Sequence, residues 1–330
     1  MATTDPIRPL LADVDTDHAL AILGAMRSVA EAGRGAKPAD AEALRSAARY
    51  MLGYLGPVDP AAAPLIAPEA LAAKVGAAGP REDSVRFLAI MALIDPPLDT
   101  GKLDAALRYA EALGVHARFV DEITEAAQKR VSEALADMAR ANMESILGRP
   151  WAGGPVEGWM LPYAGTAADP ALVARFEALG GLAETTFGHA FWRHFKRNGY
   201  AFPGDPAGLN AAFSVPHDSV HTLTGYGTTG RGEILASTFT AMMHHALPMA
   251  GHVLPVIFSW HLATEINRVA GASAGGLDPK EIWRALAAGA QCPADSFAPG
   301  WPFWSQVGRP IDEVRRDWRI PPSGLDCGDS

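Results

Sequence analysis

The chain has 330 residues, 48% hydrophobic and 20% charged, which supplies enough apolar material for a packed core and excludes bulk disorder. Acids outnumber bases by 37 to 28, a net charge of −9, and this argues against nucleic acid as a partner because phosphate-backbone binding needs a basic surface. Cys292 and Cys327 fit neither a disulfide framework nor a cysteine-based zinc site, so two unpaired thiols in a reducing compartment are expected.

The opening stretch, MATTDPIRPLLADVDTD, has acids where a secretory signal carries bases, and no apolar central region. Residues 17–147 are helical in pattern: apolar positions recur at three- and four-residue steps, as in Leu20, Leu23, Met26, Val29 and Ala30, and alanine is abundant. Breaks are expected at Gly33-Arg34-Gly35, Gly56-Pro57, Gly79-Pro80 and Asp95-Pro96-Pro97. Residues 115–147 read as one long helix with Ala127, Val131, Ala134, Leu135 and Met138 on one side.

Two parts of this half are weakly alike, one running from Ala25-Met26 to Tyr50 and the other from Met91-Ala92 to Leu113. Each is an apolar helix, a polar turn and a second amphipathic helix. The segment MALIDPPLDTGKLDAALRYAEALGV resembles the tellurite-resistance TerB-like all-helical fold. That resemblance implies a helical bundle and transfers no site, because the acidic turn residues of those domains are mostly missing here.

Residues 148–170, GRPWAGGPVEGWMLPYAGTAADP, are dense in Gly and Pro and read as a linker whose Trp residues lie against a surface. Helices are then expected at 171–179, 185–197, 217–223, 233–246, 253–269 and 279–288, the last with Asp278 as N-cap, Pro279 at the first position and Glu281 in the first turn. The most apolar stretch, residues 246–263, is interrupted by Pro248, Gly251, His252, Pro255 and His261. A bilayer crossing takes roughly 20 mostly apolar residues, so no spanning helix is expected. The expected fold class is therefore all-α in two helical domains, 1–147 and 171–330, joined by the 148–170 linker. The expected location is cytoplasmic, with peripheral membrane contact left open.

The segment PHDSVHTLTGYGTTGRGEILASTF carries the chemistry. His217 and His221 are four apart, so on a helix both imidazoles share one face about one turn apart and can aim at one ion. This is the spacing of H-E-x-x-H with Asp218 in place of Glu. Asp218 can ligate, orient water, transfer a proton or hold an imidazole. Gly225, Gly227, Gly230 and Gly232 then allow a reversal, after which a new helix begins near Glu233, with eleven residues between it and His221. Two imidazoles and two carboxylates suit zinc, iron or manganese.

H-D-x-x-H, eleven residues, then E is the signature of the coenzyme Q biosynthesis protein four family. TTFGHAFWRHFKRNGY, HHALPM, EIWRALAAGAQ and DEVRRDWRIPP also resemble that family's blocks, in order, over residues 182–322. The resemblance implies a divalent metal, zinc first, held by His217, Asp218, His221 and Glu233, with Asp218 as ligand or proton-transfer group. It further implies a polyprenylated aromatic quinone precursor or isoprenoid lipid as partner, oxidative decarboxylation of its ring carboxylate, other biosynthetic proteins as partners, and a homo-oligomer. The alternative is a non-catalytic prenyl-lipid or scaffold module with a structural metal. A hydrolase of the H-E-x-x-H type is disfavoured, since Asp218 replaces its general base. The family's basic stretch before the motif is absent, replaced by Ala211-Ala212-Phe213-Ser214-Val215-Pro216.

The remaining features have plainer expectations. Gly225 to Gly230 fits G-x-G-x-x-G, but no strand precedes it, so a turn is expected there. His189 and His194, five apart, are expected to pack, and of His244 and His245 one is expected to face the core and the other solvent. Phe258, Trp260, Trp283, Trp301, Phe303 and Trp304 are expected as core, with an apolar tunnel beside the metal as the functional alternative. Arg315, Arg316 and Arg319 are expected on a solvated helix face.

Overall fold

The computed structural model describes residues 10–11, 14–53, 59, 62–77, 80–154, 156–263 and 277–325. Among these the protein is all-α, with no named strand. Its first helices form two hairpins. In the first, α1 (Thr16–Glu31) is capped by Asp15, which accepts the Asp17 and His18 amides, and is followed by α2 (Pro38–Tyr50). After α3 (Pro68–Val75), the second hairpin comprises α4 (Arg81–Ala92) and α5 (Thr100–Leu113), the latter capped by Asp99.

The turns of the two hairpins meet. Arg34 donates its backbone N–H and its Nε to Asp99 at 3.0 and 3.1 Å, Lys37 pairs with Asp95, and Lys102 pairs with the fully buried Asp40 at 2.7 Å. A Cβ on Gly33 would stand 2.2 Å from Asp99 Oδ1, and one on Gly101 would stand 2.5 Å from Gly33 Cα, so this approach requires glycine at both positions. The chain's own cations thus hold the three carboxylates of the twin turns.

The 115–147 stretch is two helices where one was expected. α6 (Arg118–Ala127) and α7 (Val131–Leu147) are separated by Lys129, which takes a left-handed conformation at φ 62°. The reversal lets Arg118 reach across to Asp137 at 2.8 Å and to Glu144, an exchange an unbroken rod would forbid. Ala134 and Met138 are buried, as the periodicity predicts.

Residues 148–170 are not loose. They contain α8 (Val156–Met160), and both Trp151 and Trp159 pack against the core. After α9 (Pro170–Glu177) and α10 (Phe187–Asn198) comes α11 (Ala211–Thr224). The 148–170 segment holds the start of α11: Asn210 donates to the Met160 and Trp159 carbonyls at 2.8 and 2.9 Å, and Ala211 N–H donates to Tyr163 at 3.3 Å. α11 begins six residues before the expected 217, because Asn210 supplies a cap and the proline at 216 lies inside the helix.

The chain continues through α12 (Gly230–Met243), a π-helical turn (Pro248–Val253), α13 (Leu254–Leu262), α14 (Pro279–Gln291), α15 (Phe303–Gln306) and α16 (Ile311–Asp317). Asp278, Pro279 and Glu281 open α14 as expected. The apolar 246–263 stretch is helical from Pro248 to Leu262, π-helical to Val253 and α-helical from Leu254, so only Pro248 marks a start and Gly251 and Pro255 lie inside the run. Among the described residues no helix is long and apolar enough to cross a membrane. α12 packs on α14, α2 packs on α14 and α7 packs on the π turn, so one hydrophobic core runs through both halves. The expected breaks at Gly56-Pro57 and Gly79, the distal part of the expected 253–269 helix, and Cys327 lie outside the described residues. Cys292 is a free thiol, and burial pushes it up to about 12.

Candidate metal centre

α11 carries His217, Asp218 and His221 into the interior, and α12 brings Glu233 in its first turn. The five-residue connection between the helices is closed by two glycines. Gly225 ends α11 at φ 82° and donates to the His221 carbonyl. Gly232 lies so close to the loop that a Cβ on it would stand 1.8 Å from the Gly227 carbonyl oxygen. Thr229 caps α12 by accepting the Gly232 amide.

Three of the four predicted residues meet. His217 Nε2 and His221 Nε2 are 3.1 Å apart, and Glu233 Oε2 lies 3.2 Å from the first and 3.4 Å from the second. All three side chains are buried. Donors about 2.0–2.1 Å from a tetrahedral zinc ion lie roughly 3.3 Å apart, so this triangle has the size of one face of such a coordination shell. His221 donates Nδ1–H to the Tyr226 carbonyl at 3.0 Å, which leaves the Nε2 lone pair for a ligand. Phe213 stacks on the His217 ring with centroids 4.9 Å apart and orients it. The donor set fits a divalent metal. Asp218 stands outside the group whose donor atoms all lie within 4.8 Å of one another.

Asp218 has a different partner. Its Oδ1 accepts Nε2–H of His194, from α10, at 3.0 Å. The His194 ring also stacks on His221, with centroids 5.6 Å apart. His194, expected to be a packing residue, is therefore part of the centre. Its spacing from His189 carries no information on this role, because its partner is 24 residues further along the chain. His189 does pack, against the Leu182 carbonyl.

The charges are matched. Burial disfavours the imidazolium of His221, but the Glu233 carboxylate, with help from Asp218 and the Tyr226 carbonyl, outweighs it and raises His221 to about 9. Burial alone would raise Glu233, and the two imidazoles instead hold it well below the usual carboxylate range.

Two cavities reach these side chains. The first spans about 800 Å³ including its open mouth. His217 and Glu233 are in its wall, and most of the rest is apolar, with Met143, Val156, Met160, Phe213, Val256 and Phe297 among its lining. None of the six aromatics expected as core lines it, so the tunnel alternative does not apply to them: Phe258, Trp283 and Phe303 are buried core, and the aromatics of this cavity are Phe213 and Phe297. The second, about 1070 Å³ with its mouth, is polar and is lined by His194, His221 and three arginines.

His252 adds a polar group to the apolar cavity. It sits on the π turn, with Nε2 2.8 Å from Ser145 Oγ, and Ser145 Oγ donates to the Ala246 carbonyl at 2.6 Å. The serine therefore accepts Nε2–H, leaving His252 Nδ1 as the basic nitrogen. Burial first, and the neighbouring His244 and His217 second, push His252 down to about 3, so it is neutral at physiological pH. His244 is buried against Asp295 at 2.9 Å and His245 is exposed, the division expected for that pair. No protein-family model matches the chain, and no curated protein matches it.

Proposed function

We propose that the protein is a metalloenzyme acting on a polyprenylated aromatic quinone precursor, similar to the ubiquinone-biosynthesis family its motif resembles. The observation that carries this reading is the position of the His217, His221 and Glu233 triangle: its donors form part of the wall of a large apolar cavity. His217, His221 and Glu233 would hold the ion, zinc first and iron or manganese as alternatives. When bound it would supply Lewis acidity toward an oxygen of the aromatic ring. Three protein ligands match catalytic zinc sites better than closed four-ligand structural ones, which favours an enzyme over a structural-metal scaffold.

The protein's own groups divide the remaining work. The apolar wall takes up hydrocarbon and excludes water. Asp218, fixed by His194, is the proton-transfer group on the motif helix. Neutral His252 offers Nδ1 as an acceptor for a ring hydroxyl. Replacing a ring carboxylate by hydroxyl would release carbon dioxide and requires an external oxidant and an oxygen donor. Peripheral membrane contact, biosynthetic protein partners and self-association belong to the same proposal.

Metal analysis of purified protein tests the centre, with His217→Ala and Glu233→Ala as controls. Stoichiometric metal in the parent and its loss in both variants is expected. Equal metal content in all three would end the proposal. Mass spectrometry of co-purifying lipid then separates prenylated aromatics from bulk membrane lipid.

A further inference from the structure

The polar cavity has a composition opposite to that of the chain. The protein carries a net charge of −9, yet this concave surface is lined by Arg193, Arg197 and Arg315 and by no carboxylate. Arg193 and Arg197 are one helical turn apart on α10, both exposed, and neither makes a hydrogen bond or ion pair with another described residue. Arg315, from α16, is anchored: Nε donates to the Leu223 carbonyl at 2.9 Å, and Asp312 lies 3.7 Å from the guanidinium. Some exposed arginines elsewhere lie against a carboxylate, as Arg45 does with Glu42 and Arg140 with Asp137, and others do not; what sets Arg193 and Arg197 apart is that they share one concave surface with a third arginine. Two unpaired guanidiniums in a hollow whose lining has no carboxylate, beside a third that is fixed, leave donor capacity that the described residues do not use.

We propose that this cleft is a binding site for a phosphate-class oxyanion. A carboxylate is satisfied by one guanidinium fork, whereas phosphate presents three or more oxygens that neighbouring forks can share. The hollow shape favours a small anion over a flat bilayer surface. His194 and His221 line the same cleft, so a bound anion would lie next to the metal centre without using its ligand atoms. The site goes beyond the proposed quinone chemistry and does not depend on it.

The test uses the full chain, inorganic phosphate as probe and phosphorus NMR line broadening at low salt. The variants are Arg193→Ala with Arg197→Ala, and separately His217→Ala. Saturable binding is expected in the parent protein, weakened at least about tenfold in the arginine variant, since each lost charge-assisted hydrogen bond is worth on the order of a factor of ten. It should survive in His217→Ala, and an unchanged thermal melting midpoint in the arginine variant shows that the fold is intact. No saturable binding, or equal binding in the arginine variant, would overturn the site. Binding lost in His217→Ala and kept in the arginine variant would assign the anion to the metal and also overturn it. Vesicles containing phosphatidic acid distinguish the source. Capture that phosphate competes away places a lipid phosphate in the cleft. Capture that depends on the arginines but resists phosphate would assign them to a membrane surface and reject the proposal.

Discussion

His221 uses its two nitrogens for different ends. Nδ1–H is given to the Tyr226 carbonyl, and Nε2 faces His217 and Glu233. Without a metal, the Glu233 charge keeps a proton on this ring up to about 9, against an ordinary value of 6.5. A metal ion must displace that proton. Zinc affinity is therefore expected to rise with pH throughout the range below about 9, with release of about one proton per ion, then to level off. Stability of the metal-free protein runs the other way. A raised histidine contributes stability that is fully present below 6.5 and is lost as the pH rises through about 9. Glu233, held low, contributes above its ordinary 4.5 and loses that contribution only in acid. Calorimetric zinc titrations and thermal melts of chelated protein across this window check both limbs. A flat affinity profile would show that His221 carries no competing proton. The triangle was legible in the sequence because a four-residue step and a short glycine loop fix local geometry. The His194–Asp218 pair and the His252–Ser145 contact were not, because they join residues 24 and 107 positions apart through packing that no local pattern reports.

At the scale of elements, the centre depends on how α11 passes into α12. Gly232 is needed for space, since its missing Cβ would stand 1.8 Å from one backbone oxygen and 2.4 Å from the adjoining carbon of Gly227. Backbone cannot rotate aside as a side chain can. Gly232→Ala is expected to push the loop off the start of α12 and move Glu233 out of the triangle. The cost should be about 1–3 kcal/mol of stability, as for overpacking, with a loss of zinc affinity of an order of magnitude or more. Gly227→Ala, whose Cβ would meet nothing within 4 Å, is the control and should retain the metal. If the two variants bind zinc equally, the close approach does not set Glu233. The glycines themselves were readable as a reversal, but which of them bears the contact was not. The break at Lys129 was equally hidden: Gln128, Lys129 and Arg130 are sound helix formers, and the chain turns there for the sake of the distant Arg118 contacts with Asp137 and Glu144.

Across the whole molecule, the two halves read from the sequence share their interior. α2 lies on α14, α7 lies on the π turn, Ser145 of α7 holds His252, and His261 of α13 bonds the Leu93 carbonyl at 2.6 Å. Contacts of this kind are expected to couple the stability of the helical hairpins to that of the candidate metal centre. A ligand that binds only the folded state stabilises it by about 2.7 kcal/mol at a free concentration 100 times its Kd. With an unfolding entropy of about 2.1 cal/mol/K per residue, a single cooperative unit of 330 residues shifts by roughly 1.5 °C per kcal/mol, so zinc should raise the midpoint by about 4 °C. Because the core is continuous, α1 to α5 should gain that protection together with α10 to α12. Scanning calorimetry with and without zinc, followed by hydrogen exchange on α1 to α5, measures this directly. One transition that moves as a unit is expected. Two transitions, with the hairpins melting independently of zinc, would show that the shared interior does not bind the halves into one cooperative unit, and the boundary drawn at residues 148–170 would then be a thermodynamic one.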